Sequence, residues 1–444
     1  MGAAEQQNIL KQFNGPVDNA ELTQFVQRVG AKLTPYAERK DVTWTFTVLN
    51  DDLVNAFAVP GGYIYITRGL LNLAQDESQV AAVLAHEMGH INARHSAQQQ
   101  SQSMLANLGL SILGTATGSN AASQLGGVGA DLFIKKYSRT HELESDALSV
   151  KYLAAAGYDP YANTKFLAML ERYTQLQEQI AGQGQSSVAA SYFATHPPTP
   201  ERVTRAREIA DTMPKNANAI VNRSDYLRAI DGTVYGDSPE QGFVRGNEFI
   251  HPGLKIRFTA PQGFKIQNSA EQVAAQNSSG AAMIFASGRG PDEDPANYII
   301  SYLGANAQLT AQEKIIINGM PAATASTRLN TSQGAVDARI VAISAGGGNF
   351  YRLTFIAPVG QMENYATAFR TATYSFNKIS DSEAKGYSPN RVRLIKVKSG
   401  DTVQSLAAQM PVKDYPAERF ALLNGITPQT ALEPGETVKT VAPF

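Results

Sequence analysis

The sequence predicts a multidomain α+β protein, and three observations carry that reading. Residues 1–235 show mostly helical spacing, with only a short run of alternating strands. From about residue 242 the texture changes to successive strand-like segments closed by one helix, over 242–378. After a polar stretch at 379–392, residues 393–444 read strand, helix, helix, strand. The expected layout is a mainly helical domain with a small β-sheet, an α+β domain, a linker and a small βααβ domain.

Each element has a local cause. Leu10, Phe13, Leu22, Phe25, Val26, Val29 and Leu33 form the apolar side of one or two amphipathic helices over 5–38. VTWTFTVLN (42–50) alternates as a strand. NAFAVPGGYIYITRGLL then reads as strand 55–59, a turn at Pro60-Gly61-Gly62, strand 63–67 and a helix start. Pro60 fits a sheet edge, because proline cannot donate to a ladder. Asp76-Glu77-Ser78-Gln79 has the form of a capping box and opens a helix expected from 77 to about 100.

Residues 97–130 are rich in Gln, Ser, Gly and Ala. They read as a loose helix pair with a mobile loop, with a lid or a membrane-facing segment as sharper alternatives. A second helix is expected from near Asp131 to Gly157, and a third from Pro160 to about Gln179, followed by a GQGQSS loop. Thr199-Pro200-Glu201 supplies an N-cap, a proline at the first helical position and an acidic first turn. Farther on, LKIRFTAPQGF, AAMIFASG, YIISYLG, KIIINGMPAATAS, VDARIVAIS and NFYRLTFIA read as strands, with a helix at 361–373.

Composition bounds the chemistry. There is no cysteine, which excludes disulfides, thiolate metal sites and a cysteine nucleophile. A metal would be held by His, Asp or Glu, and five of the six histidines fall between residues 86 and 196. A formal net charge of -1 offers no global field for nucleic acid, so no nucleic-acid partner is expected. No stretch reaches the roughly 18–20 apolar residues of a spanning helix, so no transmembrane segment is expected. The opening MGAAEQQNILKQF lacks the basic and apolar pattern of an export signal. A cytosolic protein and a mature exported form both fit that start.

The chemistry centres on His86-Glu87-Met88-Gly89-His90. Helix positions four apart lie about 40° apart around the axis and roughly 6 Å apart in space, so His86 and His90 can reach one cation. Glu87 points beside that cation, where a carboxylate can take a proton from water. A third ligand is needed, and Glu142 is the candidate, in Glu142-Leu143-Glu144-Ser145-Asp146. Asp146, four residues on, shares its face and can accept the free ring N–H of a ligand histidine. Glu144 is assigned to solvent, and His95, His141 and His251 to structural or surface roles.

HEMGH followed some fifty residues later by SRTHELESD resembles the HExxH…ExxxD pattern of the gluzincin metalloproteases of the BepA, HtpX and Oma type. NAFAVPGGYIYITRGLL, AAAGYDP and THPPTPER also resemble that family, over about residues 20–215. The resemblance implies a mainly helical zincin catalytic domain with one Zn2+ held by His86, His90 and Glu142. It implies Glu87 as the catalytic carboxylate and Asp146 as a support behind a ligand. His196, in His-Pro-Pro, would stabilise the oxyanion or cap zinc in a resting state, and Arg202 would orient substrate or that loop. Residues Asn55, Ala56, Phe57, Ala58, Val59 and Pro60 match the edge strand on which such enzymes lay an extended peptide. Two departures matter: Ser145 replaces the usual alanine, and neither spanning helices nor tetratricopeptide repeats are evident.

Residues 394–441 resemble a LysM module, through VKSGDTVQSLA, FALLNGI and LEPGETVKTV. That implies a βααβ fold and binding of peptidoglycan or another N-acetylglucosamine glycan. It also points to a periplasmic or envelope-associated protein whose export signal has been removed. The 242–378 region, with IRFTAPQGF near its start, faintly resembles the PsbP and Mog1-like α+β sandwich. The implied function is endopeptidase action on unfolded or misassembled envelope proteins. Two other readings stay open: a non-catalytic scaffold or chaperone with a capped zinc site, and a peptidoglycan hydrolase.

Overall fold

The structure is a computed structural model and describes residues 2–96, 137–181, 192, 196–197, 199–304, 306–331 and 334–443. The described residues divide into two compact units, one built from the N-terminal region to Gly236 together with Pro389 onward, the other spanning Asp237–Ser388. The stretch at 97–130, read as a loose helix pair with a lid or a membrane-facing segment as alternatives, and the GQGQSS loop lie outside the described residues.

In the first unit, the apolar spacing at the N-terminus resolves into two helices, α1 (Gly2–Gln12) and α2 (Ala20–Leu33). Asn14 and Gly15 break the run with positive φ, and Asn19 caps α2 by accepting from the Leu22 N–H. Leu22, Phe25, Val26, Val29 and Leu33 are its buried face. Strands β1 (Thr45–Leu49), β2 (Ala56–Val59) and β3 (Tyr63–Thr67) form a sheet in the order β1-β3-β2. Strand β3 runs parallel to β1 and antiparallel to β2. Thr67 then caps the short helix α3 (Arg68–Leu73).

Helix α4 (Glu77–Asn92) is buried all round, which marks it as the centre of the unit rather than a surface helix. Asp76 caps it, accepting from the Gln79 N–H at 3.0 Å. The expected reciprocal bond is displaced by one residue, since the Gln79 side chain takes the Gln75 N–H. The helix also stops earlier than the sequence predicts, at Asn92, because Arg94 adopts a left-handed backbone with φ 57°.

Helix α5 (Arg139–Ala155) packs along α4 and starts later than Asp131, with Ser138 as its cap. Helices α6 (Ala162–Ala181), α7 (Pro200–Thr212) and α8 (Arg223–Ile230) follow, with Thr199 capping α7 as expected. Ala206 and Ala210 on α7 pack on Val150 of α5.

The C-terminal segment belongs to the same unit. Its elements are a strand (Asn390–Lys396), two helices (Val403–Ala407 and Pro416–Asn424) and a strand (Thr437–Pro443). The two strands pair antiparallel, and residues Val234–Tyr235 add a third strand beside Asn390–Arg391. Fully buried Lys439 donates to Asn72 O at 2.9 Å, Ala74 O at 2.6 Å and Tyr226 Oη at 2.8 Å. Gln75 Nε2 donates to Leu423 O at 3.2 Å. The βααβ segment is thus bonded to the turn that feeds α4. The stretch read as a linker holds a short helix, Asp381–Lys385, and enters the strand at Asn390.

The second unit has a seven-stranded antiparallel sheet and a four-stranded one. Side chains alternate between its faces: Met283 and Phe285 join one core cluster and Ile284 another. YIISYLG is a correction. It lies in a helix, Pro295–Leu303, capped by Asp294 and ended by Gly304 at φ 89°. Its apolar run fits either period, and the Asp294-Pro295 start signal decides. The expected helix at 361–373 begins with a 3-10 turn, Met362–Tyr365, before the α-helix Ala366–Ser375.

Candidate metal centre

Helix α4 presents His86 and His90 on one face, with their Nε2 atoms 3.0 Å apart. Helix α5 brings Glu142 onto them. Its Oε1 lies 3.4 Å from His90 Nε2 and its Oε2 lies 3.5 Å from His86 Nε2. His196 closes the group, with Nδ1 3.4 Å from His86 Nε2 and 3.0 Å from Glu142 Oε1. All four side chains are buried, and their donor atoms lie within 4.8 Å of one another. Three imidazole nitrogens and one carboxylate suit a divalent ion of borderline softness.

Glu87 fits the same picture. It is fully buried, and neither carboxylate oxygen has a hydrogen-bond partner. Such a carboxylate is costly unless charge or water compensates it. His196 Nε2 stands 3.5 Å from Glu87 Oε1. Burial raises the Glu87 pKa above the ordinary carboxylate value, opposed by His196 and His86.

Asp146 Oδ1 lies 2.9 Å from His86 Nδ1. Burial opposes charge on His86, but Asp146 and Glu142 outweigh it and lift its pKa to about 9. Arg202 is buried and grips Asp146 with two nitrogens, Nε at 2.7 Å and Nη2 at 3.0 Å. Its Nη1 lies 2.8 Å from Glu142 Oε2 and donates to His196 O and Pro197 O at 3.3 Å each. Arg202 therefore joins both acids to the backbone carbonyls of His196 and Pro197. Burial opposes ionisation of Asp146, yet Arg202 and His86 hold it down to about 2.

His95, read as structural or surface, is not at the surface. It is fully buried, and its Nδ1 lies 2.9 Å from His90 Nδ1. Burial, aided by His141, pushes its pKa down to about 4. Glu144, though exposed, lies 3.4 Å from His95 Nε2. Tyr137 stacks on His90 at 3.8 Å between ring centroids, and Tyr192 on His196 at 4.3 Å. No local sequence signal marks these partners, because each is brought in by a left-handed backbone or a distant element. Strand β2 is the sheet edge, with Asn55 and Ala56–Val59 buried and Pro60 exposed.

The peptidase family M48 profile matches residues 19–210, the span that holds every one of these side chains. The N-terminal part of this chain is therefore similar to M48 peptidases. The LysM profile matches residues 395–440, so the M48-like part is followed by a LysM domain. A putative beta-barrel assembly-enhancing protease of Vibrio cholerae is 30% identical over 214 residues, covering 45% of this chain and 42% of that protein. The mitochondrial metalloendopeptidase OMA1 of Schizosaccharomyces pombe is 28% identical over 187 residues, covering 42% of this chain and 52% of that protein. The chain thus spans about half the length of these relatives or less. A cyanobacterial PsbP structure from Synechocystis covers 33% of this chain and 98% of its own, at 11% identity and TM-score 0.24, too low to assign a fold. Among the described residues no helix is long and apolar enough to cross a membrane.

Proposed function

We propose that this chain is a zinc-dependent endopeptidase of the bacterial cell envelope, acting on unfolded or misassembled proteins. The observation that carries the reading is the convergence of Glu142, from a separate helix, on the paired His86 and His90 nitrogens, beside the buried Glu87. His86, His90 and Glu142 would hold one zinc ion, which when bound supplies the Lewis acidity that acidifies water and polarises a carbonyl. Glu87 accepts the proton of the attacking water and delivers it to the leaving amine. Its raised pKa favours that pick-up. Asp146 and Arg202 hold His86 and Glu142 in place. Edge strand β2, from Asn55 to Pro60, would take an extended peptide by strand addition.

His196 supplies a fourth donor, and a closed donor set is the mark of a resting metal site rather than a working one. On this reading His196 caps the metal until it withdraws. The envelope location draws support from the beta-barrel assembly-enhancing proteases among the relatives and from the LysM domain. The LysM domain would bind peptidoglycan or a related glycan, measurable as retention on purified sacculi. The 237–388 unit would serve partner binding or regulation on a PsbP- or Mog1-like sandwich.

Zinc content and casein cleavage, compared between wild type and Glu87→Gln, test the proposal. Zinc is expected in both, and cleavage only in the wild type. Equal cleavage removes the mechanism. The closed donor set also favours a second reading, a non-catalytic scaffold with a permanently capped zinc. That reading predicts no cleavage by the wild type or by a variant lacking His196.

A further inference from the structure

His95 lies five residues beyond His90. On a continuing helix that offset would turn its side chain about 140° away from His90. The helix ends at Asn92 instead, and Arg94 takes a left-handed backbone at φ 57°, which re-aims the residue that follows it. The His95 ring then meets the His90 ring at 71°, with centroids 5.0 Å apart and the two Nδ1 atoms 2.9 Å apart. His141 stacks on His95 at 4.1 Å and 16°. His95 Nε2 faces Glu144 Oε2 at 3.4 Å.

Two imidazole nitrogens at that separation need one proton between them. A His90 that offers its Nε2 lone pair to the metal cluster carries its proton on Nδ1. His95 Nδ1 must then accept, which places the His95 proton on Nε2, the nitrogen facing Glu144. Donors and acceptors alternate correctly from the cluster to the surface. We infer that His95 is a positioning residue for the metal: its Nδ1 accepts the His90 Nδ1–H and so fixes the tautomer and ring orientation of that ligand, with Glu144 as the outer partner.

The two ligand histidines are thus supported differently. His86 leans on Asp146, and His90 on a neutral ring. The choice has an electrostatic reason. Glu87, Glu142 and Asp146 already crowd the buried centre, and another carboxylate would add like charge in a low-dielectric site. A neutral histidine supplies the acceptor without the charge, and its far nitrogen passes the polarisation out to an exposed acid.

The inference rests on the metal reading of the cluster, and its test does not depend on catalysis. Zinc dissociation constants are measured by chelator competition on the full chain for wild type, His95→Asn and His95→Leu. Asn and Leu have nearly the same shape, but only Asn carries an acceptor near the Nδ1 position. Zinc binding is expected to weaken about 10–100-fold in His95→Leu and to stay within about threefold of wild type in His95→Asn. Equal affinities in the two variants overturn the assignment. Should the cavity left by Leu prevent folding, His95→Phe keeps the ring stack on His141 without the acceptor, and the same weakening is expected there. Glu144→Gln, at the exposed end, is expected to change affinity by no more than about threefold. Failure of the peptidase reading would appear as absent Glu87-dependent cleavage in the wild type, and would leave this comparison of zinc affinities intact.

Discussion

Gly89 on α4 lies directly against Ser145 on α5. A Cβ at residue 89 would stand 2.6 Å from Ser145 Oγ and 3.2 Å from its Cα. Ser145 in turn donates to His86 O at 2.6 Å, and Ser149 donates to Ala82 O at 2.9 Å. This close approach sets how far Glu142, one turn earlier on α5, stands from the two histidines. Gly89→Ala gains about 1 kcal/mol of helix propensity but forces the helices apart, at a cost of about 1–3 kcal/mol. We expect a lower melting temperature and zinc binding weakened about tenfold, checked by calorimetry and chelator competition.

His196→Ala opens the fourth position while leaving His86, His90 and Glu142 in place. The capping reading predicts that the variant keeps its zinc and cleaves casein several-fold faster than wild type. A rate equal to or below wild type would assign His196 to catalysis or structure instead.

Arg202→Met leaves Glu142 and Asp146 buried without their guanidinium, which costs about 3–5 kcal/mol. Arg202→Lys is expected to recover little, because a lysine cannot reproduce the forked contact with Asp146. Urea unfolding of the zinc-free protein checks both. The acid limb gives the sign. Asp146, held at about 2 against an ordinary 3.8, contributes stability that is present above pH 4 and fades as pH falls through 2. Removing Arg202 should flatten that limb, and an unaltered acid limb would contradict the assigned pairing.

Lys439 joins the LysM domain to the segment before α4 through two donated hydrogen bonds, to Asn72 O and Ala74 O, and to α8 through a third, to Tyr226 Oη. Lys439→Met strands those acceptors and is expected to cost about 2–4 kcal/mol. Burial pushes the Lys439 pKa well below 10.5, with Arg223 adding to the effect. Between the lowered value and 10.5 the unfolded chain binds more protons, so wild-type stability rises with pH across that window. The variant should lose that rise, which denaturation at stepped pH values can detect.

What was legible in the sequence was local. The His86–His90 pairing follows from a four-residue spacing on a helix, and the caps at Asp76 and Thr199 from short-range hydrogen-bond chemistry. The M48 and LysM resemblances rest on motifs of the same short range. YIISYLG was not legible as a helix, because a short apolar run satisfies both periods. Arg202 showed as a position but not as a partner, since its acids lie 56 and 60 residues away in the chain.

The sequence by itself determined the metal-ligand spacing, the helix that carries it and the modular order of the chain, because these depend on neighbours within a turn or two. Only the tertiary structure decided which further groups stand around the ligands. His95 reaches His90 through a left-handed backbone at Arg94, His196 arrives from a distant loop, and Lys439 crosses from the LysM domain. Each contact depends on where the backbone turns and what it packs against, and neither is encoded in residue spacing alone.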